Sequence, residues 1–297
     1  MKKIIAAAGI VCGLISALCA LLYKIYLYTD LRKFPPGNPD RAQKWLRKAQ
    51  SGDCYITARD GLYLHGTIVK NGGDRWVILM HGYDSEGKDM AEYAEQFHKR
   101  GYNVLLPDQR GFGLSEGRKT TMGEKEQYDV VGWINFLNRR ERPAQILLFG
   151  VSLGASTVLL ASGRTLPKNV AAVIEDCGYT SVYAEFKYNL RQLFRLPAFP
   201  FLTVIDLITR LKDGWSLRND ADCIRAVRRS TLPTLFIHGS ADTFVPFYMQ
   251  DELFEAAACP KEKLVVYGAG HAQCVSADPE LYWETVDRFL HSLETRK

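Results

Sequence analysis

Ser152 is the residue whose surroundings best permit chemistry. It lies in Gly150-Val151-Ser152-Leu153-Gly154, just after the apolar run Ile146–Phe149 and just before a helical stretch, Ala155 to Ala161. A Gly-x-Ser-x-Gly pentapeptide between strand and helix implies a sharp turn, with glycines where a side chain would collide. The following helix N-terminus favours negative charge beside the hydroxyl. A serine hydroxyl is a weak nucleophile and needs a base. His271 is the candidate: Gly268-Ala269-Gly270 leads to it from the strand expected at Leu264–Tyr267. Asp242, just past the strand expected at Thr234–Ile237, is the candidate acid that would orient the imidazole and stabilise its cation. The segment His81-Gly82-Tyr83 follows the run Trp76–Met80. Tyr83 and Leu153 are therefore expected to offer backbone N–H groups to an oxyanion.

Other polar residues have quieter readings. Asp176 also follows a strand and is the alternative acid. Asp108 and Arg110 are expected to organise the loop after the fourth strand, and His238 to be structural. His65, His98 and His291 have no partner evident in the sequence. Arg225, Arg228 and Arg229 read as a solvated helix face, and Cys274 as packing. The seven cysteines show no Cys-x-x-Cys spacing, so neither a disulfide framework nor a zinc site is expected. No metal or organic cofactor is called for by this chemistry.

The elements that must hold these residues alternate in type. Eight short apolar runs read as strands: Cys54–Thr57, Leu62–Val69, Trp76–Met80, Asn103–Leu106, Ile146–Phe149, Val170–Ile174, Thr234–Ile237 and Leu264–Tyr267. Ala58-Arg59-Asp60-Gly61 reads as a hairpin between the first two. Helical stripes separate the later ones: Met90, Tyr93, Ala94 and Phe97; Tyr128, Val131, Ile134 and Leu137; and finally Tyr282, Val286, Phe289, Leu290 and Leu293. This alternation predicts one α/β domain with a mostly parallel sheet. About residues 180–228 break the rhythm with an aromatic, proline-divided stretch, read as a helical lid insertion.

The amino-terminal end differs. Ile4 to Leu22 contains no charged residue, which suits a single membrane-spanning helix. Its length exceeds the usual core of a cleaved signal peptide, so a retained anchor over residues 1–28 is expected. Residues 29–52, including Phe34-Pro35-Pro36-Gly37-Asn38-Pro39-Asp40, read as a linker, with a short helix from Arg41 to Ala49. The catalytic domain then covers 53–297. Lys2 and Lys3 argue for one orientation in the membrane and Lys24, Arg32 and Lys33 for the other, leaving the facing side open. The net charge is +5, from 38 basic and 33 acidic residues. Removing the seven basic and two acidic residues of positions 1–44 leaves 31 of each, so the excess belongs to the anchor and its spacer. A formally neutral body argues against nucleic acid as a partner. Membrane lipid is the expected partner of the anchor.

Together, His81-Gly82-Tyr83, Pro107 to Ser115, Gly150 to Gly154, Asp242-Thr243-Phe244-Val245-Pro246 and Gly270-His271 resemble the α/β-hydrolase fold family across about residues 53–295. The likeness is to its membrane-anchored bacterial branch, related to serine aminopeptidase-type and esterase-type hydrolases. The resemblance implies a Ser152, Asp242, His271 triad, each member at a strand end, and about eight strands with flanking helices. It implies a serine hydrolase acting on an ester or thioester of a lipophilic acyl compound. A peptidase or amidase with the same triad is the alternative, and a catalytically silent interaction module a more distant one. Relatives that use aspartate as nucleophile are disfavoured by Ser152. In the lid, Glu185 is the only acid between Tyr183 and Leu202, thin support for recognition of a free amino terminus.

Overall fold

The computed structural model describes residues 2–29 and 39–294, with side chains from residue 13 and, after the gap, from residue 44. Eight strands form one sheet: β1 Gly52–Thr57, β2 Tyr63–Val69, β3 Arg75–Met80, β4 Asn103–Pro107, β5 Gln145–Val151, β6 Val170–Asp176, β7 Thr234–Gly239 and β8 Lys261–Val266. Their spatial order is β1-β2-β4-β3-β5-β6-β7-β8. β1 and β2 form the expected hairpin, and β2 runs antiparallel to β4; every other pairing is parallel. The hairpin turn contains Gly61 at φ +90°, a conformation that costs glycine little.

Eleven helices are seen among the described residues: α1 Lys2–Leu27, α2 Pro39–Lys48, α3 Ala91–Lys99, α4 Glu126–Arg140, α5 Leu153–Ser162, α6 Val182–Phe194, α7 Phe201–Asp213, α8 Cys223–Val227, α9 Tyr248–Ala256, α10 Cys274–Ala277 and α11 Pro279–Glu294. A short 3-10 turn, Gly87–Met90, precedes α3. The central strands are buried on both faces, because crossover helices cover each side of a parallel sheet. Ile78 and Leu148 face one core, shared with α4, α5 and the lid. Val77, Leu79, Leu147 and Phe149 face the other, shared with α3 and α11. On α4 the buried stripe is Val130, Trp133, Ile134 and Leu137, while Tyr128 and Val131 are only half-buried. The expected stripe was rotated because Trp133, the bulkiest apolar side chain of that helix, claims the core.

Helices α6, α7 and α8 occupy the insertion between β6 and β7. Its ends meet at a bridge between Ser181 and Asp222, so the insertion rises from a narrow base. Both residues cap helices: Ser181 Oγ accepts the Ala184 N–H at 3.1 Å and Asp222 Oδ1 accepts the Arg225 N–H at 2.8 Å.

The amino-terminal helix departs from the expected division into anchor and linker. α2 begins at Pro39, and the proline-rich spacer before it lies outside the described residues. The second half of α1 is built into the domain: Cys19, Leu22, Tyr23 and Leu27 are buried, and the helix packs along α7. Tyr28 bridges to Lys119, and the Thr120 N–H donates to the Leu27 carbonyl at 2.9 Å. Tyr23 Oη donates to Asp213 Oδ2 at 2.6 Å, and Lys119 Nζ donates to both Tyr23 Oη and Asp213 Oδ1 at 2.8 Å. Among the described residues, no helix is long and apolar enough to cross a membrane. The side chains of residues 2–12, which include the first part of the uncharged stretch, are outside that description.

Candidate active site

Ser152 stands between β5 and α5 at φ +54° and ψ −115°, a backbone conformation that side-chain-bearing residues rarely adopt. The flanking glycines explain how the turn closes. A Cβ on Gly150 would come within 2.2 Å of the Gly154 carbonyl oxygen, and one on Gly154 within 2.0 Å of the Met80 carbonyl oxygen. Neither position has room for any other residue.

The residues brought to this turn come from three strand ends. His271 Nε2 is 2.9 Å from Ser152 Oγ, and His271 Nδ1 is 2.8 Å from Asp242 Oδ2. The carboxylate can only accept, so Nδ1 carries the proton and Nε2 is left to accept from the serine hydroxyl. Asp242 Oδ1 accepts the N–H groups of Phe244 and Val245, each at 2.9 Å. Burial alone would raise the Asp242 carboxyl. Hydrogen bonds from His238, His271 and the Phe244 N–H outweigh it and hold the group well below the usual carboxylate range. His238 is thus structural with a purpose: its Nε2–H donates to the Val245 carbonyl at 2.9 Å and lies 3.3 Å from Asp242 Oδ2.

Asp176 stays outside this array. Its Oδ2 accepts from Tyr282 Oη at 3.0 Å, and burial raises its pKa to about 6. Its backbone matters more, since the Ser152 N–H donates to the Asp176 carbonyl at 2.8 Å. Asp108 and Arg110 organise their loop as expected. Asp108 accepts the N–H groups of Gly87 and Leu114, while Arg110 pairs with Asp129 and Asp60. His65, by contrast, does have partners: Asp108 Oδ2 at 2.8 Å and Asp53 Oδ1 at 3.0 Å. They come from the residue just after β4 and from β1, neighbours that only sheet pairing supplies. His98 meets the Lys70 carbonyl at 3.2 Å, and His291 lies 3.7 Å from Glu294. Arg225, Arg228 and Arg229 are exposed, and Cys274 is fully buried.

The loop after β3 lies against Ser152, whose Cβ would be 3.6 Å from a Cβ on Gly82. His81 sets its shape. The Gln109 N–H donates to His81 Nε2 at 2.9 Å, so Nδ1 carries the proton and donates to the Gly82 carbonyl at 2.7 Å. Burial lowers the His81 pKa, which keeps the ring neutral and this pattern intact. Gln109 Nε2 also donates to the His81 carbonyl at 2.6 Å. Leu153 is the first residue of α5, so its N–H has no acceptor within the helix. Tyr83 and Leu153 both line the cavity in front of Ser152. One observation lies beyond the sequence: Tyr83 Oη donates to the Tyr26 carbonyl of α1 at 3.1 Å.

That cavity holds about 370 Å³ and is walled mainly by apolar groups, among them Ile25, Tyr26, Met122, Phe186, Leu193, Phe194 and Phe244. Two polar lid residues also line it, Glu185 and Asn189. Burial pushes the Glu185 carboxyl up, and Asn189 Nδ2 donates to its Oε1. The signal for these residues was Val182, Glu185, Phe186, Asn189 and Leu190, a helical stripe with polar members. A potential metal-binding trio, Cys177, Asp242 and His271, has donor atoms within 4.8 Å of one another. Burial raises the Cys177 thiol well above its ordinary pKa, and Asp242 and His271 already bond each other, so this set fits a metal poorly.

Comparison with known proteins agrees with this architecture. Residues 73–198 match the family model described as serine aminopeptidase, S33. The chain is 26% identical to the uncharacterized protein YqkD of Bacillus subtilis, covering 99% of this chain and 98% of that one. It is 28% identical to the lysophosphatidylserine lipase ABHD12 of Danio rerio, over 73% of this chain and 51% of that protein. The esterase Pf2001 of Pyrococcus furiosus superposes with a TM-score of 0.70 at 25% identity, covering 88% of this chain and 96% of the esterase. With its sheet order and its strand–serine–helix turn, the chain has the α/β-hydrolase fold, as these neighbours do.

Proposed function

We propose that this protein is a serine hydrolase that cleaves an ester or thioester of a lipophilic acyl compound. The observation that carries the reading is the hydrogen-bonded chain Ser152–His271–Asp242 at the foot of an apolar cavity. His271 Nε2 takes the Ser152 proton as Oγ attacks the acyl carbon. The resulting oxyanion accepts hydrogen bonds from the Tyr83 and Leu153 N–H groups. His271 then gives its proton to the departing oxygen or sulfur as the bond to the acyl carbon breaks. A water, deprotonated by His271, attacks the acyl-serine; the acid leaves and Ser152 regains its proton. Asp242 remains ionised throughout and stabilises the imidazolium.

A fluorophosphonate probe should label Ser152, and Ser152→Ala should abolish labelling. Labelling that survives the substitution would remove Ser152 from the nucleophile role. The peptidase alternative draws on the family model and on Glu185, which does reach the cavity. Burial pushes that carboxyl up and so disfavours the carboxylate with which a free amino terminus would pair, which favours ester chemistry. Preference for aminoacyl anilides over nitrophenyl esters would reverse that order.

The uncharged Ile4 to Leu22 stretch supports a membrane location, with the first half of α1 in lipid and the body at the surface. Release of the full chain from membranes by salt alone, without detergent, would oppose it.

A further inference from the structure

We propose that the carboxy-terminal end of α1 is a wall of the acyl-binding site, and that Tyr26 sets how far an acyl chain can extend from Ser152. This rests on the hydrolase reading above and gives it a substrate dimension: a linear acyl chain whose length is gauged by the amino-terminal helix.

Ile25 and Tyr26 line the same cavity as Ser152 and His271. The Tyr26 ring stacks on Phe186 of α6, with centroids 4.3 Å apart and planes at 26°, and meets Phe194 edge-on at 6.2 Å. The gap between α1 and the lid is therefore closed by aromatic contact at this level. Tyr26 is held in place from three sides. Tyr23, one turn earlier, is tied to Asp213 at the end of α7. Leu27 and Thr29, just after it, hydrogen-bond to Thr120 and Arg118. Its own carbonyl accepts from Tyr83 Oη, in the segment that supplies the expected oxyanion N–H. A ring fixed in this way can act as a stop, whereas a mobile one could not. The walls around it are apolar, with Leu193 and Phe194 of the lid lining the same cavity. Shortening the residue at 26 would therefore lengthen an apolar channel rather than open the site to a polar surface.

The test uses the full chain and saturated nitrophenyl esters graded by acyl length. Tyr26→Ala should move the optimum to longer chains, with kcat/KM rising about fourfold for each methylene newly buried. Tyr26→Trp should move it to shorter chains. The ratio of long-chain to short-chain kcat/KM is the readout, so a general loss of activity does not imitate the effect. Thermal unfolding of each variant checks folding, and Tyr26→Leu replaces Tyr26→Ala if the latter does not fold. Affinities of matching fatty acids for full-length Ser152→Ala, with and without each change at Tyr26, should shift in the same direction. That second measurement needs no turnover: if the native chain hydrolyses no ester, the function reading fails while the gauge is still tested by binding. An unchanged length profile in folded variants that still label with fluorophosphonate, or unchanged fatty-acid affinities, would overturn the proposal.

Discussion

Two histidine–aspartate pairs stand at opposite ends of this sheet with the same contact. His271 Nδ1 lies 2.8 Å from Asp242 Oδ2, and His65 Nδ1 lies 2.8 Å from Asp108 Oδ2. The difference is what the other nitrogen faces. His271 Nε2 meets a serine hydroxyl in an open cavity, and its side chain is 24% exposed. His65 Nε2 meets a second carboxylate, Asp53, and the ring is 1% exposed. Burial by itself would lower the His65 pKa, but its two carboxylates raise it, which suits a cation that clamps β1, β2 and β4. A carboxylate behind an imidazole thus marks a rigid histidine. It marks a base only where the far nitrogen has a proton to take.

Substitution should separate the pairs most sharply in activity. His271→Ala, read as the rate of ester hydrolysis or probe labelling, should cost about 10⁴-fold or more. Asp242→Asn should cost about 10⁴-fold by presenting the wrong tautomer, whereas Asp176→Asn should cost less than about tenfold. Equal losses at the two acids would show that the array has been assigned to the wrong strand end. His65→Ala should have the opposite profile. It breaks a buried pair, so chemical denaturation should show about 3 kcal/mol less stability, with labelling of the remaining folded protein close to native. A labelling defect larger than the folded fraction explains would draw the two ends of the sheet into one functional unit.

Smaller effects test the groups between them. Tyr83→Phe keeps the backbone N–H and removes only the hydroxyl that reaches α1, so kcat should fall about fivefold with little change in KM. A change confined to KM would make Tyr83 a binding residue instead. The last prediction concerns pH. Burial raises the Glu175 carboxyl to about 8. A raised carboxyl keeps its proton in the fold, so its contribution is full below the unfolded pKa of about 4.3 and is lost as pH rises towards 8. Glu175→Gln should leave Tm unchanged near pH 4 and raise it by a few degrees at pH 8, as read by scanning calorimetry. An equal shift at both pH values would assign the effect to packing.

Much of this was legible in the chain because it is local. The eight strands are short apolar runs separated by turn signals, and all eight occur in the sheet. The turn at Ser152 is written in its own glycines, and the lid in the long interval between β6 and β7. The misreadings share one cause, which is contact between residues far apart in sequence. His65 has no partner legible along the chain because Asp108 is 43 residues away and joins it only through the β2–β4 pairing. The α4 stripe was placed off its true face because periodicity ranks neighbours by polarity, while packing ranks them by the space they fill. Glu185 reads along the chain as a lone acid, yet the fold buries it beside Asn189 and pushes its carboxyl up.

The sequence by itself determined the positions with no alternative: the glycines around Ser152, the order of strands and helices, and the candidate nucleophile and base. Those depend on covalent geometry and short-range periodicity, which a linear chain specifies directly. Only the tertiary structure decided between Asp242 and Asp176 as the partner of His271, because both end adjacent strands and only the fold places a side chain within reach. It also decided that α1 does more than precede the domain. Its uncharged face reads as an anchor along the chain, yet Tyr23, Tyr26 and Tyr28 find their partners on α7, α6 and Lys119, surfaces that exist only after folding.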